Sequence, residues 1–194
     1  MASSSNGFCV KPRSINKILS ELSSIRNKLY PENPDYLPIE WLLEKLDGKT
    51  ILFNHSTIGQ IKIHCVEEQL MKDAYGKTFP RNNENKIEIH IKDSVYIKAC
   101  EKDNRARFTI AHEIAHAFLH GNEKITFNQR INKLTPAYCD SEWQANTGAA
   151  FLLLPPDKVE KFKEPKLCSQ HCGISIEASK ITIKTYQKKG LIII

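Results

Sequence analysis

Long apolar runs are missing from this 194-residue chain: the longest are the six residues from Ala149 to Leu154 and the four from Leu191 to Ile194, against the ~18 that a bilayer-crossing helix needs. A membrane helix is excluded. Glycine and proline are sparse, at 8 and 9 residues, which excludes collagen-like and low-complexity classes. No internal repeat is present. The opening string MASSSNGF has neither a basic start nor an apolar stretch, so no secretory signal is read there. Residues 1–13 are expected to be a flexible leader, and the chain to be cytoplasmic. Its six cysteines (Cys9, Cys65, Cys100, Cys139, Cys168, Cys172) are scattered through a chain large enough to fold without staples, and are expected to be reduced. Cys168, His171 and Cys172 resemble half of a zinc site with no second half nearby, and small buried apolar packing is the role expected of the two thiols.

What is present is ordinary globular composition, 41% hydrophobic and 26% charged with a net charge of +6. The charge permits an acidic partner without requiring one. From Pro156 to Ile194 there are eight lysines against four acidic residues, and Lys180, Lys184 and Lys188 share one helical face. Such a row reads first as a solvated face and only second as a DNA contact. Ser14 to Tyr30, with Ser14 a candidate cap, carries apolar residues at helical spacing, as does Ile39 to Leu46. Between Thr50 and Ile97 the short runs ILF, IKIHCV, KIEIHI and VYI predict a small sheet. In KIEIHI, Ile87, Ile89 and Ile91 alternate with Glu88 and His90, the pattern of a strand with one buried and one wet face. Helices are then predicted from Asn104 to His120 behind an Asp103 cap, Ser141 to Leu154, Asp157 to Phe162, and from a Ser175 cap to Lys188. The expected organisation is a main unit over residues 14–156 and a small helical portion over 157–194, separate from it or part of it.

The chemistry is concentrated in RFTIAHEIAHAFLHG, residues 107–121. His112 and His116 are four residues apart, hence about 40° apart around a helix and about 6 Å apart along it, so both imidazoles can meet one metal ion. Glu113 between them is placed to act as general base toward a water at that metal. Ala111, Ile114, Ala115 and Phe118 give the helix an apolar face, which puts the motif on a buried helix. A catalytic zinc needs a third protein ligand. His120 continues the series, but an unbroken helix carries it about 12 Å along the axis from His112. Glu142, at the start of the next helix, can supply a carboxylate. The expected set is His112, His116 and Glu142, with zinc as cofactor.

Together with SEWQANTGAAFLLLPP, this string resembles the ImmA/IrrE family of zinc metallopeptidases over about residues 105–156. The shared pattern is a basic residue, an aromatic, Thr, x, Ala, H-E-x-x-H-x-x-x-H, then E-x-x-A-N-x-F-A-A-x-L-L-M-P. Farther on, Gly173, Ile174, Ser175, Glu177 and Ala178 resemble its G-I-S-x-E-A helix. Two positions depart from the pattern, Gly148 for Phe and Leu154 for Met, and are expected to alter packing beside the site. The resemblance implies an α+β, gluzincin-like fold with a small sheet packed on the H-E-x-x-H helix. It implies zinc bound by His112, His116 and Glu142, with Glu113 as base. It also implies a helix-turn-helix transcriptional repressor as substrate. Arg107, His120 and Tyr138 are candidates for transition-state or supporting roles, Arg107 and His120 having structural alternatives as an ion pair and a helix brace. Two other readings compete: a non-catalytic zinc-containing module that binds a repressor or DNA, and a toxin-like enzyme paired with a neutralising protein. The intact Glu113 speaks against the first of these.

Overall fold

A computed structural model describes residues 7–53, 56–71, 74–80, 83–123 and 135–193. Two helices come first, α1 (Ile15–Leu29) and α2 (Ile39–Leu46). The Ser14 side chain accepts from the Lys17 amide and caps α1, as the sequence predicts. Four strands follow: β1 (Thr50–Phe53), β2 (Ser56–Val66), β3 (Gly76–Phe79) and β4 (Lys86–Lys92). They form one sheet in the order β1-β2-β4-β3, with β2 and β4 parallel and the outer pairs antiparallel. The period-two pattern of β4 is realised, since Ile87, Ile89 and Ile91 are fully buried while Glu88 and His90 stay partly exposed.

Six α-helices follow among the described residues: α3 (Asp93–Cys100), α4 (Asn104–His120), α5 (Ser141–Leu153), α6 (Pro156–Phe162), α7 (Pro165–Cys172) and α8 (Ile176–Lys188). The chain is α+β, with the small sheet packed on α4 as expected. Gly121 ends α4 without a positive φ. A Cβ there would lie 2.4 Å from Ile87 Cδ1, so the glycine permits a close approach of helix end to sheet. Helix α5 runs against α4 and α1. A Cβ on Gly148 would stand 2.9 Å from the Ala115 Cβ and 2.6 Å from Leu22 Cδ1.

Three expectations change. VYI is not a strand but lies in α3, where Val95 and Ala99 bury one helical face; tertiary contact overrides the preference of β-branched residues for strands. Strand β3 and helix α7 went unread, the former because GKTF has only four residues and little apolar content. Residues 8–13 are not a free leader: Cys9 bridges Asp140, and the Val10 and Arg13 amides donate to Cys139 and Tyr138 carbonyls. Residues 1–6 lie outside the described residues. The helical portion after residue 156 shares the main core, with Tyr186 stacked on Phe151 and its hydroxyl donating to the Leu154 carbonyl oxygen at 2.7 Å.

Candidate metal centre

Helix α4 is regular from its Asp103 cap to His120, so His112 and His116 stand one turn apart and their rings meet edge to face at 4.5 Å. Asp140 caps α5 by accepting from the Glu142 amide, which fixes that residue in the first turn. The two helices bring three donors together. His112 Nε2 and His116 Nε2 are 2.9 Å apart, and each lies 3.3 Å from a Glu142 carboxylate oxygen. A tetrahedral zinc with bonds of roughly 2.0–2.1 Å has edges of about 3.4 Å, so this spacing fits the ion with little movement.

The hydrogen-bond network fixes which atoms carry protons. Gln144 donates through Nε2 to the Lys11 and Tyr138 carbonyls, so its Oε1 must be the acceptor for His120 Nε2 at 3.1 Å. His120 is buried, and burial together with the neighbouring His116 pushes its pKa down to about 3. A neutral ring with hydrogen on Nε2 accepts at Nδ1, and His116 Nδ1 lies there at 3.0 Å. His116 therefore donates from Nδ1 and turns an Nε2 lone pair toward the centre. His112 Nδ1 is likewise taken up, at 3.0 Å, by Asn146 Oδ1. Two lone pairs and a carboxylate then face one point, an arrangement that fits a cation. Electrostatics agree. Burial opposes the charged form of His112, but Glu142 and Glu113 outweigh it and raise its pKa. Burial would likewise raise that of Glu142, but the two histidines facing it hold its carboxyl well below the usual range.

Glu113 is buried beside this cluster and contacts strand β3. The Thr78 hydroxyl lies 2.7 Å from its Oε2 and 2.9 Å from its backbone oxygen, so one hydrogen serves both acceptors. Gly76 leaves room for the Glu113 side chain: a Cβ there would stand 2.7 Å from Cγ and 3.1 Å from Oε1. A hollow of about 490 Å³ at the α3–α4 junction is lined by Tyr75, Lys98, Arg105 and Thr109. Thr109 and Arg105 precede His112 by three and seven residues, so the hollow flanks the metal centre along the same face of α4.

Of the other residues singled out from sequence, His120 sits behind His116 as just described. Arg107 is elsewhere. It is fully buried, donates to the Leu37 and Gly173 carbonyls, pairs with Glu40 at 3.3 Å and stacks on Tyr36. It is a brace between α2, α4 and α7. Tyr138 is exposed, and its carbonyl rather than its ring enters the network. Cys168 and Cys172 are buried free thiols with pKa values raised by burial, while His171 stacks on Phe162. Thr78, Gln144 and Asn146 are not legible as site residues, since each acts through a contact distant in sequence. Only Asn146, four residues after Glu142, had a signal in helical spacing.

The model of the family described as Peptidase_M78, IrrE N-terminal-like domain, matches residues 60–184. That span encloses all three converging donors and Glu113. No individual curated protein matches the chain.

Proposed function

The chain belongs to the IrrE N-terminal-like family, Peptidase_M78, and from that premise we propose that it is a zinc-dependent endopeptidase whose substrate is a helix-turn-helix repressor. The observation that carries the reading is the convergence of two imidazole lone pairs and a carboxylate beside a second, separately held carboxylate. His112, His116 and Glu142 would hold the metal. When bound, zinc supplies a Lewis-acid charge that polarises a carbonyl oxygen and acidifies water. Glu113 takes a proton from the attacking water and returns one to the leaving amine as the peptide C–N bond breaks. Thr78 holds Oε2 by its hydrogen bond, which leaves Oε1 for the proton. His120 and Asn146 keep the ring hydrogens of His116 and His112 on the far nitrogens. The flanking hollow offers room for residues on one side of the scissile bond, as an extended substrate requires. The repressor as substrate rests on the family resemblance.

The test separates metal binding from proton transfer. Glu113→Gln keeps size and some hydrogen bonding but removes proton acceptance, and should retain wild-type zinc content while losing roughly 10²-fold or more in cleavage rate. Cleavage of a cognate repressor at the wild-type rate by this variant would overturn the mechanism. Incubation with casein should give little digestion.

A further inference from the structure

A second group of ligating side chains stands on the opposite face of the sheet from α4. In β4 the isoleucines point to the core, so Glu88 and His90, two residues apart, share the outer face. The parallel register places His64 of β2 directly beside His90. Their rings are 4.7 Å apart, and His90 Nε2 lies 3.3 Å from Glu88 Oε2. One nitrogen from each histidine and a carboxylate oxygen all fall within 4.8 Å of one another. Phe79 of β3 packs edge-on against His90 at 4.8 Å and walls the cluster on that side. The apolar face of the sheet demands its isoleucines for packing, whereas nothing in the core asks for two histidines and a glutamate on the wet face.

We propose that His64, Glu88 and His90 form a second metal site, open to solvent and independent of the first, that takes a divalent transition-metal ion. Two imidazoles and one carboxylate select zinc, copper or nickel over calcium and magnesium, which prefer all-oxygen sets. Three protein ligands on an exposed face leave the remaining positions to water. Three lysines border the cluster: Lys62 is in register with Glu88, Lys77 with His90, and Lys86, two residues before Glu88 in β4, interacts with its charge while pairing with Glu84. Lys62 is drawn toward Asp47 at 3.9 Å, and Lys77 lies over the Phe79 ring at 4.8 Å. Their charge makes this the weaker of the two sites.

Calorimetric titration of the chelator-stripped, reduced chain with Zn²⁺ alone tests the proposal. The wild type should take two equivalents, the second more weakly. Glu142→Ala should lose the tight equivalent and keep the weak one. His64→Ala and His90→Ala should each lose the weak equivalent, keep the tight one and leave the melting temperature unchanged. His64 is exposed, so its replacement does not threaten folding. Lys77→Glu should tighten the weak site by removing a repelling charge and adding a carboxylate. A single equivalent in the wild type at saturating Zn²⁺ would overturn the proposal, as would a second equivalent that survives His64→Ala and His90→Ala together.

Discussion

Thr78 illustrates how one hydroxyl can hold the carboxylate proposed as the base. It donates to Glu113 Oε2 from a strand 35 residues away in sequence. A hydrogen bond to a charged group contributes about 1.5–3 kcal/mol. Thr78→Val keeps the shape and deletes the donor, so kcat should fall about 10- to 100-fold with zinc content unchanged. An unchanged kcat would show that Thr78 does not position Glu113. A second residue-scale prediction separates the two candidates for third metal ligand, Glu142 and His120. Glu142→Ala should lose the catalytic zinc, whereas His120→Ala should keep it and lower only affinity or rate, by about 10- to 100-fold for a partner that orients a ligand. Metal analysis of both proteins decides, and the reverse pattern would exchange their roles.

At the scale of elements, the site depends on how closely α5 approaches α4, because Glu142 rides on one and the histidines on the other. Gly148 sets that approach, with Ala115 and Leu22 where its side chain would be. Leu22 has a flexible end that can yield, but the Ala115 Cβ is fixed to helix α4. Gly148→Ala should therefore cost about 1–3 kcal/mol by overpacking. Gly148→Phe, which restores the residue usual in the family, should be worse and should weaken zinc binding as α5 is pushed away. Urea denaturation and zinc titration of both variants check this, and a Phe variant as stable as wild type would mean that the helices separate freely.

For the whole molecule, ion pairs centred on Arg107 and Asp35 tie distant segments together. Arg107 links α4 to the residues before α2 and after α7, and its removal leaves Glu40 buried without its cation. Arg107→Met should lower stability by about 3–5 kcal/mol, the usual consequence of breaking a buried pair. Activity per folded molecule should hold, because no Arg107 atom reaches the metal centre. Asp35, in the segment between α1 and α2, meets Lys161 at 2.6 Å and Lys158 at 3.1 Å on α6. Hydrogen bonding from Lys161, then from Lys158, holds its carboxyl below the ordinary value. A depressed carboxylate stabilises the fold above its unfolded pKa and loses that contribution as pH falls through the folded one. The stability difference between wild type and Asp35→Asn should thus be constant near neutral pH and close below about pH 4. A difference that persists undiminished at pH 2 would exclude the pair as its source.

The sequence by itself determined what depends on spacing along one element. Four-residue spacing on a helix carries His112 and His116 to one face, and the regularity of that helix carries His120 beyond them. Period two in KIEIHI separates core isoleucines from Glu88 and His90. Ser14, Asp103 and Ser175 announced helix starts because a cap is a contact across three residues. The tertiary structure decided everything that joins elements. Thr78 met Glu113, Gln144 met His120 and His64 met His90 through strand register and helix crossing, which no local periodicity encodes. Arg107 sits five residues before His112, yet the helix turns it to the opposite side, where burial and three backbone or carboxylate partners make it a brace. Val95 to Ile97 shows the same limit in the other direction. Its β-branched residues favoured a strand, and the need to bury Val95 and Ala99 on one face made a helix.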